Sequence, residues 1–192
     1  MGFRQIAGKG LYFLFIGQIL GVAGTLFLLM LPTLGLLGML AGTVCSIYGL
    51  YTLSKADADY QNAFLLTLAN FAVSLFSVVI LNSEGILAFL CSVVSMLINA
   101  AVIYFICSTT GRLLRGIDDS VERRGGLIWR VVWLCTIVEI ACVLLSYIPI
   151  INIAAMAVQM IATLIQLIIN VLYLMFLWQG QKALRQSGGN DW

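Results

Sequence analysis

Residues 11–53 read LYFLFIGQILGVAGTLFLLMLPTLGLLGMLAGTVCSIYGLYTL, 43 residues without a charged side chain. One helix of that length would rise about 1.5 Å per residue and overshoot a hydrocarbon core of about 30 Å roughly twofold. The only break inside it is Pro32-Thr33, and proline removes a backbone donor and clashes with the preceding turn. The stretch therefore predicts a helical hairpin, Leu11–Leu31 and Leu34–Leu53, turning at Pro32.

Outward from that hairpin the same reading repeats. Four further apolar runs follow, Ala63–Leu81, Ile86–Ser108, Val131–Ile148 and Ile150–Leu177, the last long enough that it should tilt or protrude. The composition agrees: 62% of residues are apolar, 9% are charged and the mean hydropathy is +1.07, against about 25% charged in an ordinary soluble domain. The expected fold is an all-α integral membrane protein, a single transmembrane domain over residues 1–192 with six helices arranged as three tandem hairpins.

The charges set the orientation. With the N-terminus in the cytoplasm, Arg4, Lys9, Lys55, Arg112, Arg115, Arg123, Arg124, Arg130, Lys182 and Arg185 all fall on the inner side, and the three outer turns carry no basic residue. The positive-inside rule then gives both termini inside, in a plasma or inner membrane. The largest polar segment, 109–130, is expected as a cytoplasmic Arg-rich loop between helices 4 and 5. Helix 4 should run on for a turn or two and break near Gly116, with a short charged helix ending at Gly125-Gly126. Its Arg112, Arg115, Arg123 and Arg124 suit anionic lipid headgroups or a partner protein; the plainer reading is that they hold topology. Asp57 and Asp59 stand where helix-start acids belong, before helix 3. Trp129, Trp133, Trp178, Tyr12, Tyr51, Tyr60 and Tyr104 mark an aromatic belt at the inner surface.

Each helix also carries one stripe of small or polar residues at spacings of three and four, which places them on one face. Helix 1 has Gly10, Gly17, Gly21 and Gly24, and helix 2 has Gly35, Gly38, Gly42, Cys45 and Gly49. Gly17-x-x-x-Gly21 and Gly38-x-x-x-Gly42 read as the close-packing signals of this pair. Helices 3 to 6 are more polar, with Asn70 on helix 3, Ser95 and Asn99 on helix 4, Glu139 on helix 5, and Gln159, Thr163, Gln166 and Asn170 on helix 6.

Glu139 is the only charged residue inside any of the apolar runs. A carboxyl near the middle of a bilayer is costly to keep and is by default a candidate site. Counting back from the outer turns puts Glu139, Gln159, Asn70, Ser95 and Thr43 in one layer, extended towards the cytoplasm by Thr163, Gln166 and Asn170. Gln159 is the expected neighbour of Glu139. No Lys or Arg shares that depth. The carboxyl is then satisfied by protonation and an amide hydrogen bond, by a bound cation, or by a hydrated cavity.

The chain has no His, and its five cysteines, Cys45, Cys91, Cys107, Cys135 and Cys142, form no CxxC pair and lie in or at the ends of helices. They read as small apolar packers, with no metal site and no cofactor. No nucleophile–base pair or phosphate cradle points to an enzyme or to catalytic residues, and nothing points to nucleic acid. The expected partners are the lipid bilayer, a small cation or polar solute, and a membrane-protein partner or a second copy.

Two functions fit. The first is a small permease, channel or substrate-binding membrane subunit, holding a cation, proton or small polar solute at the layer around Glu139. In size and helix count the chain is similar to the substrate-binding components of energy-coupling-factor vitamin importers, a likeness of architecture alone. Those proteins have a longer first outer loop over the ligand, where this chain has Pro32-Thr33. The second is a non-transporting scaffold or regulatory subunit of a larger complex, with Glu139 protonated and structural.

Overall fold

The computed structural model describes residues 3–28, 31–80, 86–116, 118–145 and 152–188. It is helical throughout, with no strand among the described residues: α1 Phe3–Leu28, α2 Pro32–Ser54, α3 Ala58–Ile80, α4 Ile86–Leu114, α5 Asp119–Leu145 and α6 Asn152–Gly188. Over the described residues, five of the six are long and apolar enough to cross a membrane. The outer turns expected at Asn82–Gly85 and around Pro149, with the depth markers Leu81, Ile148 and Ile150, lie outside the described residues.

The hairpin at Pro32 is present. α1 ends at Leu28, and Pro32 opens α2 at a position where its missing N–H costs nothing. The Leu31 N–H donates to the Phe27 carbonyl at 2.7 Å and the Gly35 N–H to the Leu31 carbonyl at 2.9 Å, which ties the turn.

The six helices form a ring in chain order: each packs on its sequence neighbour, and α6 closes back onto α1. One end of the ring, here called the base, carries the start of α1, the end of α6 and the α2–α3 and α4–α5 links; α1, α3 and α5 run from it towards the other end, the rim. The core is concentrated at the base. Leu11, Leu53, Tyr60, Leu114, Leu177 and Leu184 are fully buried there, together with Phe176 and Ile106. Towards the rim the helices expose large apolar side chains instead, among them Leu37, Leu87, Met160 and Leu164. A physical reason is at hand. Burying a leucine gains little where the alternative is lipid, whereas the base is where the apolar runs end and the polar segments carrying Tyr60, Leu114 and Leu184 begin, so that water makes burial favourable there.

That difference also explains why the helices outrun the predicted spans. α1 starts at Phe3 instead of Leu11, and α6, 37 residues long, runs to Gly188 instead of stopping at Leu177. These extensions dock on each other: Ala7 and Leu184 are fully buried, and Gly8 lies beside Arg185.

The segment 109–130 is a helical corner, not a loop. α4 does continue to Leu114 and turn at Gly116, whose φ of 80° suits glycine. The expected short helix does not end at Gly125-Gly126, because α5 is continuous from Asp119. Gly125 is a packing residue instead: a Cβ there would lie 2.9 Å from Phe176 Cε2 and 3.2 Å from the Cys107 carbonyl oxygen.

Candidate functional site

The polar residues expected in one layer fall into two pairs. In the first, Gln166 on α6 is the polar side chain beside the Glu139 carboxyl on α5. In the second, Asn70 Nδ2 on α3 donates to Asn99 Oδ1 on α4 at 3.3 Å, while Asn70 Oδ1 is buried without a partner. α3 packs on α2 and α4, and α5 on α4 and α6, so these pairs belong to separate flanks of the ring.

Gln159 is exposed and is not the amide beside Glu139. The reason is axial register. At the base, Gly125 lies against Phe176, and Arg124 Nη1 donates to Gln179 Oε1 at 2.9 Å. Carried along two antiparallel helices, that register brings Glu139 opposite the turn holding Thr163 and Gln166. Counting from the rim turn placed α6 about one turn away from its actual position.

The remaining candidates are less engaged. Thr43 and Thr163 are exposed, and each hydroxyl donates at 2.9 Å into its own helix, to the Met39 and Gln159 carbonyls. Asn170 is exposed and Ser95 half-buried. Asn99, part of the helix 4 stripe but not of the expected layer, is the residue that engages Asn70. Its signal was its spacing: it falls on the same face as the buried Ile106.

The direction of these side chains is informative. Residues seven apart share a helix face to within about 20°. Seven positions towards the base from Asn70, Asn99, Glu139, Gln166 and Asn170 stand Ala63, Ile106, Val132, Tyr173 and Leu177, respectively, each 5% exposed or less. The polar positions thus continue the faces that the base buries. Glu139 itself sits between Cys135 and Cys142, both buried, on α5. The base beneath is closed by mainly apolar packing, in which Thr109, Thr136 and Gln181 are also buried, and by a hydroxyl pair, Tyr60 Oη with Thr110 Oγ1 at 2.8 Å. Tyr60, expected in the aromatic belt, is wholly buried; Tyr51, Tyr104 and Trp178 stay exposed, as a belt requires.

At the base surface the charges sort themselves. Arg112 Nη2 reaches Asp57 Oδ2 at 2.9 Å and Asp59 Oδ2 at 3.0 Å, clamping the α2–α3 link to the end of α4. Asp57 also caps α3 by accepting the Asp59 N–H at 2.9 Å. Arg115 pairs with Glu122 at 2.9 Å across the Gly116 corner. Arg123 and Arg124 are exposed, and Arg124 bonds to Gln179, as above. Asp118 starts α5, accepting from the Ser120 hydroxyl at 2.6 Å and from the Ser120 and Val121 N–H groups. Those bonds, the Ser120 hydroxyl first, hold its carboxyl below the usual range. Among the described residues no three His, Cys, Asp or Glu side chains gather to hold a metal ion.

No family model, no curated protein and no solved structure matches this chain.

Proposed function

We propose that the protein is a six-span membrane protein with both termini in the cytoplasm, and that it admits a cation, a proton or a small polar solute from the rim. The bound species would rest at Glu139 and Gln166, with Asn70 and Asn99 on the opposite flank and Gln159 and Asn170 along the approach. The protein acts as a small permease, channel or substrate-binding membrane subunit, without enzymatic activity. One observation carries this reading: the polar side chains lie on faces that the base packs shut, so they continue the interior of the ring and do not address lipid. A carboxyl and amides at that depth, with no Lys or Arg beside them, suit a positively charged or hydrogen-bonding guest. All ten basic residues lie at the base, which supports a cytoplasmic base.

The Glu139–Gln166 contact also favours a second reading. A neutral carboxyl bonded to an amide satisfies itself without a guest, as in a scaffold or regulatory subunit of a larger membrane complex. Thermal melting of the purified protein against monovalent and divalent cations, pH and small solutes separates the two, with Glu139→Gln beside the wild type. A native-state ligand raises the melting temperature by mass action. A ligand-dependent rise that Glu139→Gln abolishes supports the site. Equal melting of both proteins under every condition overturns it in favour of the scaffold.

A further inference from the structure

A second site lies at the base, between α5 and α6, and it is built for a different guest. Two clefts meet there and share Arg124 and Gln179. The first, about 260 Å³, opens between the helices and is walled mainly by Leu127, Leu172, Met175 and Phe176. The second, about 320 Å³, is polar and adds Lys182, Ser120 and Gln186. The boundary between them falls at the level of the belt: Trp178 immediately precedes Gln179, and Trp129 lies just over one turn beyond Arg124 on α5. The apolar cleft is therefore on the hydrocarbon side of the interface and the polar cleft on the headgroup side.

We propose that this double cleft binds an anionic phospholipid, the phosphate between Arg124 and Lys182 and one acyl chain along Leu172 and Met175. Charge complementarity singles out this occupant. The ion pairs among the described residues engage Arg112 and Arg115; Arg124 makes none of them, and although Asp118 attracts it across the cleft, its hydrogen bond to the neutral Gln179 amide oxygen fixes the guanidinium at the mouth. Among the described side chains Asp118 is the acid that lines the polar cleft. Its carboxylate is already committed to the Ser120 hydroxyl and the first N–H groups of α5. A soluble anion would use the polar cleft and leave the apolar one empty, whereas a lipid fills both. Of the four arginines between helices 4 and 5 with a suggested headgroup role, this assigns it to Arg124, with Lys182 of α6 as its partner.

The test is a thermal titration of the detergent-purified protein with dioleoyl phosphatidylglycerol, dioleoyl phosphatidylcholine and inorganic phosphate. The anionic lipid should raise the melting temperature, and the other two should not. A basic residue near an anionic headgroup contributes about fivefold in affinity, so Arg124→Gln should raise the half-saturating lipid concentration about fivefold and Arg124→Gln/Lys182→Gln about thirtyfold. Arg123→Gln, at the adjacent exposed position, should leave it unchanged. Leu172→Trp, which fills the apolar cleft and keeps both charges, should also abolish the response. Since Arg124 and Lys182 are both exposed, each single variant can be read if the double one fails to fold. An unchanged response in the Arg124 and Lys182 variants overturns the proposal. So does an equal loss in Arg123→Gln, which would mean diffuse attraction, or a shift reproduced by phosphate alone, which would mean a headgroup-only anion site.

Discussion

The α1–α2 and α5–α6 hairpins have the same topology and opposite ways of staying closed. In α1–α2 the contact is backbone on backbone. Gly10, Gly17 and Gly24 recur every seven residues and face Gly49, Gly42 and Gly35, which recur at the same interval in the opposite direction. A Cβ at Gly42 would sit 2.7 Å from both the Gly17 carbonyl oxygen and the Gly21 nitrogen, and one at Gly24 2.6 Å from the Met39 nitrogen. In α5–α6 the helices meet through side chains: Gly125 under Phe176, Arg124 to Gln179, and Glu139 with Gln166. The first pair is sealed along its length and has no room for a guest. The second is held at the base and presents polar groups towards the rim. Without a hydrophobic drive in lipid, close packing and polar contacts are the two means of holding helices together, and this chain assigns one to each hairpin.

The largest expected effect tests the sealed hairpin. Gly42→Leu puts a side chain where backbone atoms stand, and the backbone, unlike a flexible side chain, has no cheap way to yield. Overpacking a core costs about 1–3 kcal/mol, and this substitution should reach or exceed the upper end, seen as loss of the monodisperse folded peak and of cooperative melting. Gly21→Ala is the matched control. Its Cβ meets nothing within 4 Å, so the protein should melt like the wild type, although Gly17-x-x-x-Gly21 is the motif that a spacing rule selects. If the two variants behave alike, the seven-residue glycine seam is not what joins α1 to α2.

A smaller effect sharpens the other half of the comparison. Gln166→Leu removes the amide beside Glu139 and should cost about 0.6–2 kcal/mol in a reversible mixed-micelle unfolding measurement. Gln159→Leu should cost less than that, because Gln159 is exposed and its side chain has no part in the pair. In a background freed of native cysteines, Glu139→Cys with Gln166→Cys should crosslink, and Glu139→Cys with Gln159→Cys should not. The reverse pattern would restore the register counted from the rim turn.

That register shows where the reading of the sequence stops. Apolar length located the first hairpin, because Pro32 is the sole interruption in residues 11–53. The small-residue stripe likewise pointed to the packed faces of α1 and α2. It did not separate Gly21 from Gly24, since three-and-four spacing spreads over two adjacent lines of a helix face, whereas residues seven apart follow one line to within about 20° per step. Periodicity reports rotation about the helix axis and is silent on sliding along it. Gln159 was therefore the expected neighbour of Glu139, although Gln166 lies on the same face; Gly125 against Phe176 sets the offset at the far end. The extent of α1, α5 and α6 was illegible for a related reason. Their ends are polar helix held by contacts such as Ala7 with the α6 terminus, and an apolar-run criterion stops where water begins. Tyr60 was misplaced because a tyrosine near an interface reads the same whether its ring faces lipid or the core; only Thr110, fifty residues away in sequence, marks the difference.

The smallest effect concerns how each kind of hairpin begins. α2 opens on Pro32 after Leu31, with no side-chain cap, whereas α5 opens on the carboxylate of Asp118. Hydrogen bonds to the charged form hold the Asp118 carboxyl below its usual value, so folding favours the carboxylate. The stabilisation is then fully present above the unfolded value of about 3.9 and is lost as the pH falls through the lower folded value. Acidification from about pH 5 towards pH 2 should release the first turn of α5, read as faster amide exchange at Ser120 and Val121 relative to the intrinsic rate. Asp118→Asn, which still accepts from N–H groups but does not titrate, should flatten that dependence. The first turn of α2 should show no such change in either protein, because a proline and a leucine have no proton to take up.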